Sequence, residues 1–123
     1  MSKKNKNFNT KAIHVGQKPE KIFGAVSLPI YLTSTFKQEE FGEYEYDYSR
    51  AGNPTRTNLE QNIASLEKGI GAVAFSSGMG AISAVIHLLS SGDEVIFTRN
   101  VYGGTYRIME KIYKNFSIKS HWI

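Results

Sequence analysis

The sequence contains no cysteine and only three prolines, and it has no long run of apolar residues. Without cysteine, the chain cannot form disulfides or use a thiolate in catalysis, which fits a reducing compartment. The first residues lack the apolar stretch of a signal peptide, and no apolar run approaches the length of a membrane span. These absences predict a cytoplasmic protein that does not act in a membrane.

Basic patches and metal-ligand patterns are also scarce. Four lysines among the first eleven residues account for the net charge of +4, and further along Lys and Arg are interleaved with Asp and Glu. We therefore expect no nucleic-acid partner. His14, His87 and His121 share no metal-ligand spacing, so we expect no metal site.

The first half of the chain has little periodicity. A short helix is predicted near residues 10–15, whereas residues 17–55 lack a helical period and are predicted to be largely extended. Irregular segments of this length are uncommon inside a compact domain and usually carry function or reach a partner. We expect an N-terminal arm over residues 1–56, with residues 1–8 disordered.

The second half alternates helical and strand patterns. Thr57-x-x-Glu60 is a possible capping box that would begin a helix before Gly69. Buried strands are predicted at residues 71–75, 95–97 and 118–123, with helices at residues 79–89 and 105–114. The alternation predicts an α/β fold with a parallel or mixed sheet and flanking helices, which would begin at residue 57 and be truncated at residue 123.

Two short clusters contain groups that suit a phosphate. Ser77-Gly78-Met79 lies between a predicted strand and a helix, where bare N–H groups attract anions, although a tight turn is an equal alternative. Tyr48 and Arg50 are two residues apart, so an extended backbone would point a phenol and a guanidinium to one side. One face of a β-segment is the alternative for that pair.

A third cluster offers an aromatic ring. Tyr102 precedes Gly103 and Gly104, whose missing side chains would leave the ring free to stack on a flat ligand. A tyrosine packed in the core is the alternative that the residues alone favour. Arg107, one helical turn later, could bind a substrate carboxylate or remain solvated.

Together these motifs resemble the Cys/Met-metabolism family of pyridoxal-phosphate (PLP) enzymes, which includes cystathionine γ-lyase, cystathionine γ-synthase and methionine γ-lyase. The resemblance runs from about residue 10 to the end of the sequence. Four ordered stretches carry it: PIYLTSTF at 29–36, YSRAGNPTR at 48–56, FSSGM at 75–79 and VYGGT at 101–105. It implies the large domain of a fold-type-I PLP-dependent transferase, with pyridoxal 5′-phosphate as cofactor.

The resemblance implies that the arm completes a neighbour's site. Tyr48, Ser49 and Arg50 would bind the cofactor phosphate of another subunit across a dimer interface. The protein would then be a homo-oligomer, and the family suggests a homotetramer.

The resemblance also implies roles within the subunit. Ser77, Gly78 and Met79 would bind the phosphate, the latter two through backbone N–H groups. Tyr102 would stack on the pyridine ring and assist proton transfer, and Arg107 would lie near the substrate.

The family's Schiff-base lysine, the aspartate facing the pyridine nitrogen and the arginine for the substrate carboxylate all fall beyond residue 123. We therefore expect the N-terminal portion of a cystathionine γ-lyase-like enzyme that acts on a sulfur-containing amino acid in trans-sulfuration. A γ-synthase-like or methionine γ-lyase-like enzyme is the alternative, and a non-catalytic remnant of a decayed gene is a further one. The 123-residue chain alone is expected to be inactive.

Overall fold

The computed structural model describes residues 7–123, which form two compact units that divide between Ala74 and Phe75. The helices and strands, in chain order, are α1 Phe8–His14, α2 Pro54–Leu66, α3 Gly78–Ile86, β1 Glu94–Phe97, α4 Gly103–Lys111, a 3₁₀ turn Tyr113–Phe116 and β2 Lys119–Trp122. The predicted α/β class, with a parallel sheet and flanking helices, is confirmed. None of the helices within residues 7–123 has the length and apolar character needed to cross a membrane.

In the first unit, α1 packs against α2 and is fixed by one amide. Asn62 Nδ2 donates to the carbonyl oxygens of Lys11, Ala12 and Val15 at 3.2, 3.1 and 2.8 Å. Lys11 O also accepts from Val15 N at 3.0 Å, whereas the carbonyls of Ala12 and Val15 lie at the end of α1, where helical N–H groups run out. The predicted short helix is confirmed. The expected disorder of residues 1–8 falls largely outside the described residues, but Phe8 is helical.

Helix α2 begins at Pro54, so the predicted start at Thr57 is wrong. The Asn53 side chain accepts a hydrogen bond from Thr55 N at 2.8 Å and caps the helix. Proline suits the first helical position because its missing N–H would have no partner there. Glu60 therefore does not close a capping box, and its carboxylate binds other groups.

The predicted strand at residues 71–75 is also wrong. These residues belong to no helix or strand, and Ala74 N donates to Glu60 Oε1 at 2.8 Å instead of to a neighbouring strand. Within residues 7–123 the one sheet contains only β1 and β2. An apolar run can form a strand only where a second strand supplies ladder partners.

The second unit contains the most deeply buried residues. Strands β1 and β2 pair in parallel, from Glu94 opposite Lys119 to Phe97 opposite Trp122. Helices α3 and α4 and the 3₁₀ turn surround an apolar cluster whose buried members are Ile86, Met109, Tyr113 and Ile118. Burial of such side chains is the main favourable term in folding this unit.

On the exposed face of the sheet, one carboxylate links β1 to β2. Glu94 accepts hydrogen bonds from Lys119 Nζ at 3.0 Å and His121 Nε2 at 2.8 Å. The hydrogen bond from Lys119, followed by that from His121, lowers the pKa of Glu94 from its ordinary value.

On the opposite face, a second carboxylate joins α4 to β2. Glu110 Oε1 accepts hydrogen bonds from Ser120 Oγ at 2.9 Å and Trp122 Nε1 at 3.2 Å. The hydrogen bond from Ser120, followed by that from Trp122, lowers the pKa of Glu110 below its ordinary value of 4.5. Ionised Glu110 therefore fastens the last strand to the helix.

We expect Glu110→Gln to reduce the acid sensitivity of folding. Because the folded-state pKa lies below the unfolded value, the carboxylate stabilises the fold above the unfolded value, and this contribution is lost as pH falls through the folded pKa. Urea unfolding measured between about pH 7 and pH 3 should show a smaller loss of stability in the variant than in the wild type.

The exposed Glu45 provides a matched control, since Glu45→Gln removes the same charge in the first unit. Its loss of stability with pH should follow the wild type. An identical pH profile for Glu110→Gln and the wild type would contradict the assigned role of Glu110.

Candidate functional site

The N-terminus of α3 presents two backbone donors to open space. Ser77 caps the helix, since its Oγ accepts from Gly80 N at 3.0 Å and its carbonyl accepts from Ala81 N at 3.1 Å. Among the described residues, the N–H groups of Gly78 and Met79 have no acceptor. An added Cβ at Gly78 would meet no atom within 4 Å. This helix end can therefore accept an anion.

Tyr102 lies beside that helix end within the second unit. A Cβ built on Gly104 would lie 2.5 Å from Tyr102 Cε1 and 3.0 Å from Met79 Sδ. The ring and the thioether thus approach the same point above Gly104, which has no side chain to exclude them. Tyr102 remains 67% exposed. The predicted glycine turn and the predicted stacking ring therefore lie together, with the ring accessible to a ligand.

Arg107 extends from α4, four residues after Gly103. Its Nε donates to Gly103 O at 3.3 Å, and its side chain is exposed. Among the described residues it forms no ion pair. The guanidinium is therefore available to an anionic group close to the start of α4.

Tyr48 and Arg50 belong to the first unit. The Arg50 guanidinium carbon lies 4.8 Å from the centre of the Tyr48 ring, in a cation–π arrangement. Tyr48 pairs with Thr35 in an isolated antiparallel bridge. Both predicted side chains thus lie on one side of the loop, and Arg50 forms no ion pair within residues 7–123.

Ser49, between them, is part of the framework of the loop. Its N donates to Ser34 O at 2.8 Å, and its hydroxyl donates to Thr33 O. The hydroxyl also accepts from Asn53 Nδ2 at 2.9 Å. Ser49 therefore fixes the loop to the arm and to the cap of α2.

Arg56 binds the loop at residues 48–52, a role that no sequence pattern predicted. Its guanidinium donates to the carbonyl oxygens of Ser49 and Ala51 at 3.0 and 2.8 Å. The helix start at Pro54 would have indicated this role, because it places Arg56 in the first turn of α2, where the helix dipole disfavours a cation. An arginine in that position is stabilised by other acceptors.

Within residues 7–123, no group of three or more His, Cys, Asp or Glu side chains could hold a metal ion. The first unit presents a guanidinium beside a phenol at Arg50 and Tyr48, and the second unit presents backbone donors beside a phenol at Gly78, Met79 and Tyr102. This chemistry suits an anionic, aromatic ligand.

The convergence at Gly104 predicts different effects for two neighbouring glycines. Gly103→Ala places a Cβ in open space and should stabilise the helix by up to about 0.5–1 kcal/mol. Gly104→Ala forces the Tyr102 ring or the Met79 sulfur to move, so it should lose that gain. Urea unfolding of both variants measures the difference, and equal stabilities would contradict the described packing.

The model of the Cys/Met metabolism PLP-dependent enzyme family matches residues 9–123. The chain is 53% identical over 107 residues to a cystathionine beta-lyase of Lactococcus lactis subsp. cremoris, an alignment that covers 86% of this chain and 28% of the relative. It is 50% identical over 115 residues to a cystathionine gamma-lyase of Bacillus subtilis, covering 93% of this chain and 30% of the relative.

A solved structure has the same fold. The crystal structure of cystathionine gamma-lyase from Lactobacillus plantarum complexed with L-serine superposes with a TM-score of 0.86 at 43% identity, over 96% of this chain and 31% of that one. The chain thus spans less than a third of the length of the relatives it matches. The family model, which covers nearly the whole sequence, confirms the predicted resemblance: this chain belongs to the Cys/Met metabolism PLP-dependent enzyme family.

Proposed function

We propose that this chain is the N-terminal part of a PLP-dependent carbon–sulfur lyase of trans-sulfuration, which cleaves cystathionine-like amino acids by γ-elimination. Family membership and the likeness to a cystathionine gamma-lyase support the reaction class. The observation that carries the proposal is the pair of bare N–H groups at Gly78 and Met79 beside the exposed Tyr102 ring.

The residues of the second unit fit PLP as a ligand. Its phosphate matches the positive end of α3, where Gly78 leaves room for a close approach and Ser77 fixes the helix start. Its flat ring matches the exposed face of Tyr102, one residue before a glycine pair. When bound, PLP supplies an electron sink for a carbanion next to the amino group of the substrate.

The second unit would also orient the reacting groups. Tyr102 would hold the ring plane by stacking, and its phenol oxygen would hold or move a proton at the substrate. Arg107 would attract the anionic end of the substrate toward the start of α4. These residues would orient the cofactor and the substrate relative to each other before the reaction, and correct orientation lowers the barrier.

The arm would provide a second set of phosphate ligands. Tyr48 and Arg50 present a phenol and a guanidinium from one side of the loop, and Ser49 holds that loop in place. We propose that the two side chains bind the cofactor phosphate of another copy, across a dimer interface. The arm over residues 1–56 would then pack on a partner, in a cytoplasmic homotetramer.

The exposed apolar side chains of the arm support that placement. Phe23, Leu32 and Phe41 are 92%, 93% and 104% exposed. A surface of another chain would cover such side chains in the proposed assembly. A partner surface that covers these side chains would add apolar burial to the hydrogen bonds that the arm forms with its own chain.

A β-elimination is the second candidate reaction. A relative with 53% identity is named cystathionine beta-lyase, and the site residues described here do not depend on which carbon–sulfur bond breaks. The two reactions differ in the bond of cystathionine that is cleaved and therefore in the keto acid that is released.

We expect the full-length protein to release 2-oxobutanoate, cysteine and ammonia from cystathionine, because γ-elimination breaks the Cγ–S bond. A coupled lactate dehydrogenase assay with product identification by chromatography would measure the keto acid. Release of pyruvate and homocysteine would assign the β-lyase reaction instead. Synthesis of cystathionine from an activated homoserine without keto-acid release would assign the γ-synthase alternative, and turnover of neither kind would favour the remnant.

We expect Gly78→Val to weaken PLP binding by roughly tenfold or more, equivalent to about 1.4 kcal/mol, without unfolding the full-length protein. A Cβ at Gly78 meets no atom within 4 Å, and the side chain of Val would occupy the path of the phosphate. Equilibrium dialysis gives the affinity.

Gly71→Val is the matched control, because its Cβ also meets no atom within 4 Å and Gly71 lies outside the proposed site. It should retain wild-type affinity. Unchanged PLP affinity in Gly78→Val would exclude the phosphate from this helix end.

A further inference from the structure

Arg56 binds three consecutive carbonyl groups of one loop. Its Nη1 donates to Ser49 O at 3.0 Å, and its Nη2 lies 2.8 Å from Ala51 O and 3.5 Å from Arg50 O. The side chain is 33% exposed. A planar guanidinium with several donors can hold several peptide planes at once, which a lysine ammonium cannot do with the same geometry.

The loop held by Arg56 carries the two proposed phosphate ligands of the arm. Tyr48 O accepts from Ala51 N and Gly52 N, both at 2.9 Å, so the loop turns back on itself directly after Arg50. The orientation of those peptide planes sets the direction in which the Arg50 and Tyr48 side chains leave the backbone. The Arg56 guanidinium points toward the loop carbonyls, so it is not free to bind a phosphate.

Glu60 extends this arrangement to a second segment. Its Oε1 lies 3.7 Å from Arg56 Nε, and the same oxygen accepts from Ala74 N at 2.8 Å. Arg56 and Glu60 are one turn apart on α2. The Arg56–Glu60 ion pair thus links the loop at residues 48–52, called the arm loop below, to Ala74. Ala74 lies three positions before Ser77 in the chain.

We propose that Arg56 is a positioning residue for the phosphate ligands of the arm, with Glu60 as its brace. The guanidinium sets the loop so that Tyr48 and Arg50 are oriented before the phosphate arrives, and binding then requires little further ordering. This inference rests on the proposed function, because it assumes that Tyr48 and Arg50 bind a cofactor phosphate.

Comparison of PLP with pyridoxal, which lacks the phosphate, tests the proposal in the full-length protein. Arg56→Lys retains the charge and the pairing with Glu60 but loses the fork of donors. We expect it to weaken PLP binding roughly tenfold and to change pyridoxal binding by less than about twofold. A loss of overall stability would instead weaken the binding of PLP and of pyridoxal to a similar degree.

Three further variants complete the comparison. Arg99→Lys is the matched control, since Arg99 is an exposed arginine that contacts a single carbonyl, Trp122 O, at 3.5 Å; it should leave both affinities unchanged. Arg50→Ala tests the underlying assumption and should reduce PLP binding selectively. In the double variant Arg50→Ala/Arg56→Lys, the total loss should be smaller than the sum of the two single losses, because Arg56 acts through Arg50 as well as through Tyr48.

Hydrogen exchange provides a readout that is independent of the cofactor. The amides of Ala51 and Gly52 should exchange faster in Arg56→Lys than in the wild type, because their loop loses its anchor. Selective loss of PLP binding together with faster exchange at these amides would support the proposal.

The results distinguish the positioning role of Arg56 from the phosphate-binding role of Tyr48 and Arg50. If Arg50→Ala reduces PLP binding selectively and Arg56→Lys does not, the positioning role is refuted while the phosphate ligands stand. Equal weakening of PLP and pyridoxal by Arg56→Lys, or unchanged exchange at Ala51 and Gly52, also refutes it. If Arg50→Ala has no selective effect, the proposed phosphate ligands are refuted and the inference falls with them.

Discussion

Backbone groups outside helices and strands impose the main constraint on the first unit, because each needs a hydrogen-bond partner. Among residues 7–123, every side chain classed as buried lies in the second unit, so apolar burial contributes less to the first. One helix supplies several of these partners, and the loops of the unit supply others themselves. Polar side chains on or beside α2 bind the backbone of α1, of Tyr31, of the loop at residues 48–52 and of Ala74. These side chains are Asn62, Asn53, Arg56 and Glu60. The shape of the arm loop therefore depends on polar side chains of α2.

In the second unit, apolar burial contributes more than polar side chains do. Its buried core lies apart from the residues of the proposed site. Ile86 lies at the C-terminal end of α3 and Met109 in the second half of α4, and both are buried with Tyr113 and Ile118. The N-terminal ends of these helices carry Gly78 and Tyr102, which remain exposed. A packed core thus holds the helices while the ends that carry the proposed ligand-binding residues stay accessible, an arrangement that would give a binding site rigid support.

The sequence predicted those parts whose signals are local. Strand β1 was evident from a short apolar run, a strand was also predicted at residues 118–123 where β2 lies, and the turn at Gly78 was predicted from its position between an apolar run and a helical period. The start of α2 was not, because Asn53-Pro54 and Thr57-x-x-Glu60 are competing start signals. The failure at residues 71–75 has a different cause, since strand formation depends on a neighbouring strand. The partners of Arg56 depend on the path of a loop, which no spacing rule describes.

The two carboxylates that contact β2 also specify its alignment. Glu94 binds Lys119 and His121 from one face, and Glu110 binds Ser120 and Trp122 from the other. A slip of one residue would turn each pair to the opposite face, so both carboxylates would lose their donors at once. The ladder contains only four residue pairs, too few for backbone hydrogen bonds to discriminate strongly between neighbouring alignments. The side chains on both faces thus select the correct pairing against the shifted one.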